Sequence, residues 1–424
     1  MNEFSLSNGM RVLFAPSKGT DTVTVLVLVR VGSRYEYPKV NGASHFIEHL
    51  MFKGTKRRPN AQVISRILDS VGADFNAFTD KHVTGYYVKV DKNHLETAVD
   101  LLEDMIFHSK FDTQELNRER KVVIEEINMY RDTPARHVED LLEEILFSKN
   151  TLGWNIAGSP ESMKAMPKEE ILAYHSAYYR PSNMVLVVAG NIDRKAKGLI
   201  EKKFGKNKDT RLEGDSFEPF ETQVARPLVE RVNVQYKDTA QVQVAFGFPS
   251  YGIQDEKNVV VRLLSVILGG NMSSRLFTEV REKKGLAYSV GAGNYLYDDV
   301  GAFSIRAGLD RTRMPLAVKT ILTEVKKMAK DGVTTQELKE AKTYVHGQVS
   351  IRMEDSQDRA QWFANQLMFQ DRVTVPATYL KRIDAVTQAQ LAKVAKELLD
   401  TEKMCLAVIG PYKDTSEFLS TVKL

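Results

Sequence analysis

Two short stretches, one near the middle of the chain and one near its end, resemble each other. The run VLVVAGNID around Gly190 is similar to CLAVIGPYK around Gly410, an offset of 220 residues. A helical pattern precedes each run, at about 168–178 and 388–399. A repeat of this length indicates duplicated domains and excludes a solenoid of short units.

The length of the chain fits a duplication. A chain of 424 residues exceeds a single ordinary core and indicates two domains. The stretch 206–227 is polar and charged, contains two prolines and has little apolar periodicity, so it predicts a linker. We therefore expect domains at 1–215 and 216–424.

Hydrophobic periodicity predicts both strands and helices in each half. In the first half, strands are expected at 22–31 and 184–188, in 4–15 as short extended pieces around a turn at Ser7-Asn8-Gly9, and in 74–90 as two strands around a polar turn. Helices are expected around His45 and at 60–71, 94–108, 112–131, 134–148 and 167–178. In the second half, strands are expected at 229–236, 241–248, 286–296 and 301–309, and helices at 256–268, 272–282, 314–330, 335–352 and 355–369.

Composition narrows the class of protein. Hydrophobic residues make up 43% and charged residues 27%, as in soluble globular proteins. The formal net charge is only +4 and no dense Lys/Arg block occurs, so nucleic-acid binding gains no support. The apolar run Val23–Val31 is too short to span a membrane, and the N-terminal residues do not have the pattern of a secretory signal. The single cysteine, Cys405, cannot form an intrachain disulfide. We expect a cytoplasmic protein with no membrane partner.

The segment His45-Phe46-Ile47-Glu48-His49 carries the candidate chemistry. On a helix, His45, Glu48 and His49 share one face, while apolar residues fill the other. Two imidazoles at i and i+4 can bind one Zn²⁺, and Glu48 lies where a general base would act on a water. This H-x-x-E-H pattern is the reversed form of the common zinc protease motif. A polar helix face with incidental histidines is the simpler interpretation. The second half has no such motif, so we expect the chemistry in the first domain.

A catalytic zinc usually has three protein ligands. In the predicted helix 112–131, Glu119 and Glu126 are seven residues apart and therefore share one face. Carboxylates on a partly apolar face need a partner, which a metal could be. A solvated, ion-paired face is the alternative interpretation.

Together, H-x-x-E-H at 45–49 and the glutamate pair in ERKVVIEE resemble the pitrilysin and insulin-degrading enzyme group of inverted-motif zinc peptidases, which includes mitochondrial processing peptidase. The resemblance extends over essentially the whole chain and includes its duplication. It implies an α+β fold of two similar domains, each a mostly antiparallel sheet covered by helices. It also implies Glu126 as the third zinc ligand and Glu119 as a nearby supporting glutamate. Glu125, one residue away, remains an alternative ligand.

Other matches concern the substrate. The stretch GADFNAFTDKHVTGYY is similar to the family's edge strand, where Asn76 and Ala77 would pair with an extended peptide. His82 stands where many relatives have an acidic residue, and it is not expected to be a ligand. In the second half, Arg281 and Tyr288 resemble a pair that holds the substrate backbone in relatives. An ordinary surface Arg and a half-buried Tyr are the alternative interpretation.

The resemblance thus implies a zinc metalloendopeptidase in which Glu48 is the general base, with 1–215 as the catalytic domain and 216–424 as the substrate-binding domain. Chains of this length correspond to half of the long single-chain relatives, which implies a homodimer that encloses a chamber, accepts short unfolded peptides and shares each active site between subunits. The alternative is a non-catalytic structural or substrate-guiding subunit of a heteromeric processing peptidase.

Overall fold

The structure is a computed structural model and describes residues 1–209, 217–221, 226–370 and 372–422. The first part of the chain forms, in order, β1 (Asn2–Ser5), β2 (Arg11–Pro16), β3 (Thr22–Val29), α1 (Ala43–Met51), α2 (Ala61–Ser70), β4 (Asp74–Thr79), β5 (Thr84–Asp91), α3 (Leu95–His108), α4 (Thr113–Arg131), α5 (Pro134–Leu146), α6 (Pro160–Ala165), α7 (Lys168–Tyr178), β6 (Met184–Gly190) and α8 (Ala196–Phe204).

The second part follows a related order. It forms β7 (Val232–Tyr236), β8 (Gln241–Tyr251), α9 (Asn258–Ser265), β9 (Ala287–Leu296), β10 (Val300–Asp310), α10 (Met314–Asp331), α11 (Thr335–Glu354), α12 (Ser356–Phe369), α13 (Pro376–Ala385), α14 (Gln388–Leu398), β11 (Cys405–Gly410) and α15 (Ser416–Val422). Two π-helical segments, Val266–Gly270 and Phe277–Glu282, lie between α9 and β9. Among the described residues, no helix is both long enough and apolar enough to cross a bilayer.

The two sheets have matching topologies. The first has the strand order β1-β2-β6-β3-β5-β4 and the second β7-β11-β8-β10-β9. The strand that contains the repeated run is β6 in the first sheet and β11 in the second. Strand β6 is parallel to β2 and antiparallel to β3, and β11 is likewise parallel to β7 and antiparallel to β8. The remaining pairs are antiparallel. The expected fold, two related domains each with a mostly antiparallel sheet and helices, is therefore confirmed.

The chain divides into two compact units that are not contiguous in sequence. Unit 1 contains residues 1–128, 154–217 and 349–374, and unit 2 contains the rest of the described chain. Helix α5 packs on β8 and β11 in unit 2, whereas α12 packs on β2, β3 and β6 in unit 1. The domains predicted at 1–215 and 216–424 would place α5 in the first domain and α12 in the second. In the structure, α5 belongs to unit 2 and α12 to unit 1.

The exchanged helix explains why β3 has apolar residues on both of its faces. Its sequence is TVTVLVLV, and every residue from Val23 to Val29 is buried. Helices α3 and α12 both contact β3. A strand covered on both faces does not alternate between apolar and polar residues, because neither face meets water.

The predicted linker 206–227 lies partly outside the described residues. Two described aromatic residues in it pack against a core. Phe217 in unit 1 contacts Tyr35 edge-on, with ring centroids 5.4 Å apart. Phe220 in unit 2 contacts Phe147 in the same way, at 5.2 Å. The predicted linker is therefore held to unit 1 at Phe217 and to unit 2 at Phe220.

Candidate metal centre

Helix α1 presents the motif as the sequence predicts. Its apolar face, which includes Phe46, Ile47 and Leu50, is buried in the core of unit 1. His45 and His49 lie on the opposite side, and their ring centroids are 4.6 Å apart. The packing of the apolar face fixes the direction in which the two imidazoles point.

A carboxylate from α4 meets the two imidazoles. Glu126 Oε2 lies 3.3 Å from His49 Nε2 and 3.7 Å from His45 Nε2. Among the described residues, this is the only group of three or more His, Cys, Asp or Glu side chains with ligand atoms within 4.8 Å of one another. Glu125, by contrast, is exposed and lies outside the group.

The donor set fits zinc. Two imidazole nitrogens and one carboxylate oxygen are typical of catalytic zinc sites. Ligand atoms at tetrahedral angles and at about 2.0–2.2 Å from zinc lie about 3.3–3.6 Å from one another. The two separations from Glu126 are close to this range, and all the ligand atoms lie within 4.8 Å of one another.

Burial and charge set the protonation of the histidines. Burial, together with the neighbouring His49, lowers the pKa of His45 to about 4, so its imidazole is neutral at pH 7. Burial opposes a charge on His49, but hydrogen bonds to Glu119 and Glu126 outweigh it and raise the pKa of His49 to about 9. Carboxylates that stabilise an imidazolium also stabilise a divalent cation in its place.

Glu119 orients His49. Its Oε1 lies 2.9 Å from His49 Nδ1, and its Oε2 lies 2.7 Å from the Lys53 ammonium. Burial opposes the charge on Glu119, but these two partners hold its pKa below the usual value. A carboxylate on Nδ1 leaves Nε2 as the ligand atom, a common support for metal-binding histidines. His45 differs, because its buried Nδ1 has no hydrogen-bond partner among the described residues.

Glu48 lies beside the cluster and is held by a neighbouring strand. The Thr79 hydroxyl of β4 donates a hydrogen bond of 2.5 Å to Glu48 Oε2. Burial raises the pKa of Glu48, and the Thr79 bond opposes that rise. A carboxylate with a raised pKa, held near the metal position, is suited to accept a proton at neutral pH.

Among the described strands, β4 pairs only with β5 and is the edge of the first sheet. Asn76 is exposed and Ala77 is half-buried on it. The Ala77 N–H donates to the Asn76 side-chain oxygen at 2.9 Å. His82 lies apart from the metal cluster and stacks on Phe369, with ring centroids 4.3 Å apart.

In unit 2 the two predicted substrate residues lie together. Arg281 is in the π-helical segment Phe277–Glu282, and Tyr288 is in β9, the edge strand of the second sheet. The guanidinium carbon of Arg281 lies 5.6 Å from the centre of the Tyr288 ring. Tyr288 is 73% exposed, so its ring is accessible to a ligand.

Sequence profiles of one family match most of the chain. The profile described as Insulinase (Peptidase family M16) matches residues 11–159, which include the metal cluster. The profile described as Peptidase M16 inactive domain matches residues 165–345. The chain belongs to peptidase family M16. The resemblance expected from the motif, including the short two-domain type, is thereby confirmed.

Proteins named as proteases match nearly the whole length of the chain. An uncharacterized zinc protease of Bacillus subtilis (strain 168), YmxG, is 34% identical over 416 residues, which cover 97% of this chain and 98% of that protein. An uncharacterized zinc protease of Streptomyces coelicolor is 33% identical over 97% of this chain and 89% of its own. The crystal structure of a protease from Helicobacter pylori superimposes with a TM-score of 0.90 at 25% identity, covering 97% of this chain and 99% of that one.

The second half keeps the M16 fold without the metal-binding side chains. Helix α9 follows β8 in the second half as α1 follows β3 in the first. Its sequence, NVVVRLLS, contains no His, Cys, Asp or Glu, and its buried side chains are mainly aliphatic. Aliphatic side chains cannot bind a metal, which agrees with the inactive-domain profile that covers this half.

Some residues that support the site were not predicted from the sequence. They include Glu36, which binds the start of α1, Lys53, which binds Glu119, and Thr79, which binds Glu48. Lys53 follows His49 by four residues, so helical spacing indicates its proximity. Thr79 and Glu36 reach α1 from other segments, and no spacing rule indicates such contacts.

Proposed function

We propose that this M16 protein is a zinc metalloendopeptidase that hydrolyses short, unfolded peptides. The observation that carries the proposal is the convergence of His45, His49 and Glu126 beside the buried carboxylate of Glu48. The three convergent side chains would hold the zinc ion. When bound, zinc would polarise the scissile carbonyl and lower the pKa of a water molecule.

The residues of the chain would manage the protons. Glu48 would take a proton from the attacking water and deliver it to the leaving amine. Thr79 keeps Glu48 Oε2 fixed, which leaves the other carboxylate oxygen to accept that proton. Glu119 acts on His49 rather than on substrate, because its oxygens already bind His49 and Lys53.

An extended peptide would bind along β4. The open edge of this strand can accept a further strand, whose backbone would pair near Asn76 and Ala77. The Ala77 N–H donates to the Asn76 side-chain oxygen. A backbone carbonyl of the bound peptide would take the place of that oxygen as the acceptor. Since Thr79 lies on the same strand, a peptide bound to β4 would lie close to Glu48.

Arg281 and Tyr288 would hold the substrate backbone and help to stabilise the oxyanion. We further propose that the protein acts as a homodimer whose subunits enclose a chamber, with each active site taking its Arg281 and Tyr288 from the other subunit. The length of the chain supports this proposal, since it matches half of the long single-chain members of the resembled group.

A non-catalytic subunit is the competing function. Such a subunit would have no need of a proton acceptor beside the metal position, yet Glu48 is present and is held by Thr79. The presence of Glu48 therefore favours an enzyme.

Zinc content and peptide cleavage, measured on the same preparation, test the proposal. We expect about one zinc per chain and cleavage of an internally quenched peptide library. A chelator should abolish cleavage, and stoichiometric zinc should restore it. Bound zinc with no cleavage of any library member would favour the non-catalytic subunit.

A further inference from the structure

Helix α1 begins without a side-chain cap of its own. Its N-cap residue, Gly42, has φ of 95° and no side chain to accept from the first free N–H groups. Glu36, which lies before the helix, supplies the missing acceptors. One carboxylate oxygen accepts from the Gly42 N–H at 2.7 Å, and the other accepts from the Ser44 N–H at 2.9 Å.

This carboxylate is buried with its partners. Glu36 is only 4% exposed, and the Asn41 side-chain amide donates to it at 3.3 Å. A buried carboxylate is costly unless hydrogen bonds compensate it, and the N-terminus of a helix favours negative charge. Burial nevertheless raises the pKa of Glu36 to about 7, against the effect of these hydrogen bonds.

The surroundings leave the start of α1 little freedom. A Cβ atom on Gly42 would lie 2.6 Å from the Ala157 carbonyl oxygen, so the backbone passes against that residue. The Ser44 hydroxyl lies 3.0 Å from the Tyr174 hydroxyl, which in turn donates to the Gly32 carbonyl. The Glu36 carboxylate completes this set of contacts from the side of the preceding loop.

A small rotation of α1 would affect the metal cluster strongly. His45 follows Ser44 directly, and His49 lies one turn later on the same helix. Side-chain atoms lie about 6 Å from the axis of a helix, so a rotation of about 20° moves them by about 2 Å. Metal–ligand distances tolerate deviations of only about 0.2 Å.

We propose that Glu36 is a positioning residue for the metal: by binding the backbone of Gly42 and Ser44, it fixes the rotation and axial position of α1, and thereby places His45 and His49 to meet Glu126. The inference rests on zinc binding, which is part of the proposed function, and does not depend on peptide cleavage. If Glu36 were needed only for stability, replacing it would lower the melting temperature and leave the zinc affinity of the folded protein unchanged.

Variants at Glu36 separate these two roles. Glu36→Gln keeps the shape but replaces one acceptor oxygen by an NH₂ group, which opposes a backbone N–H. Glu36→Asp keeps the charge but is shorter by one methylene. The matched control is Glu103→Gln. Glu103 is also a buried carboxylate of unit 1, but its described hydrogen-bond partners are Arg57, His108 and Asn207, which all lie outside α1.

The zinc dissociation constant of the folded protein, measured by competition with a chromogenic chelator, is the main measurement. Amide hydrogen exchange of a peptide that covers residues 41–46 is the second. For Glu36→Gln we expect zinc binding to weaken by about 10-fold or more, and exchange at 41–46 to accelerate. Glu36→Asp should weaken binding by a smaller factor. Glu103→Gln should lower the melting temperature with zinc affinity unchanged.

Zinc affinity within twofold of wild type in folded Glu36→Gln would overturn the inference. If Glu36→Gln is not recovered folded, Glu36→Asp carries the test under the same criterion. Failure of the proposed function gives a different result: wild-type protein that binds zinc, with an affinity that depends on Glu36, but cleaves no peptide. Wild-type protein that binds no zinc would overturn both.

Discussion

Glu125 and Glu126 are neighbours on α4, yet their side chains leave the helix about 100° apart. Glu126 points at both imidazoles, whereas Glu125 is exposed. The sequence motif left the choice between them open. The structure brings Glu126 to the cluster because the buried residues Val123 and Ile127 fix which face of α4 turns inward.

The first prediction compares these two glutamates. Glu126→Gln should weaken zinc binding by at least about 10-fold, because the amide replaces the only charged ligand of the set. Glu125→Gln should leave zinc affinity unchanged and serves as the matched control. Equilibrium competition with a chelator measures both. Loss of metal in Glu125→Gln, with normal binding in Glu126→Gln, would contradict this assignment and make Glu125 the third ligand.

At the residue scale, spacing within one helix was enough to predict the faces of His45, Glu48 and His49. It could not predict contacts between segments. Thr79 meets Glu48 only because β4 lies next to α1, and Glu36 meets the start of α1 only through the loop between them. Such contacts depend on the tertiary fold and leave no periodic pattern.

At the scale of the element, the buried Glu36 makes the stability of α1 depend on pH. Its folded pKa of about 7 exceeds the usual value of 4.5. Between these values the folded state keeps a proton that the unfolded state releases. The free energy of unfolding therefore falls as pH rises through this window, by up to about 3 kcal/mol from this group. Tyr174, in the same pocket, has a pKa raised well above its usual value by burial and by Glu36, and does not titrate in this range.

We therefore predict that Glu36→Gln removes part of the pH dependence of stability. Chemical denaturation at pH 5, 6, 7 and 8, with a chelator present, gives the free energy of unfolding of wild type and variant. The difference between them should change in favour of the variant as pH rises. A constant difference from pH 5 to pH 8 would mean that Glu36 titrates alike in the folded and unfolded states.

Most helices and strands follow from periodicity, but two predicted helices were inaccurate. The helix expected at 256–268 is α-helical only over Asn258–Ser265 and continues as the π-helical segment Val266–Gly270. The helix expected at 272–282 contains the π-helical segment Phe277–Glu282. A π-helix has a longer turn than an α-helix, but over five or six residues the apolar side chains of one face fall at similar positions in both. Side-chain periodicity therefore cannot distinguish them.

The exchange of α5 and α12 was also beyond sequence analysis. The apolar face of each helix shows that the helix must be buried, but not against which sheet.

The exchange of α5 and α12 leads to a prediction for fragments of the chain. Fragment 1–215 lacks α12, whose buried Phe363 and Leu367 belong to unit 1, and 216–424 lacks α5. Each large buried side chain contributes about 1.5–3 kcal/mol, and domains are stable by only about 5–15 kcal/mol.

We expect neither fragment alone to unfold cooperatively, and co-expressed fragments to form a folded complex. Near-UV circular dichroism and thermal unfolding measure this. The control is the full chain with a specific protease site inserted in 206–227 and cleaved after folding, which should stay folded. A cooperative unfolding transition in isolated 1–215 would show that α12 is not needed by unit 1.

At the scale of the whole molecule, the proposed homodimer predicts complementation between subunits. Glu48→Gln and Arg281→Ala should each be inactive or weak as homodimers. In a mixed dimer one site would combine an intact Glu48 with an intact Arg281 of the partner subunit. Peptide cleavage should therefore reappear when the two variants are co-refolded. Confirmed heterodimers without recovered turnover would contradict a shared site.

The proposed catalysis requires Glu48 to take a proton from the attacking water beside a metal that other residues hold. Glu48→Gln removes this one step, because the amide keeps the shape of the side chain but cannot accept a proton at neutral pH. Zinc content by mass spectrometry and kcat/KM on an internally quenched peptide are measured together, with Glu125→Gln as control. We predict that zinc content is unchanged and that kcat/KM falls by about 10²–10⁴-fold. Near-normal turnover in a zinc-loaded Glu48→Gln protein would contradict the account.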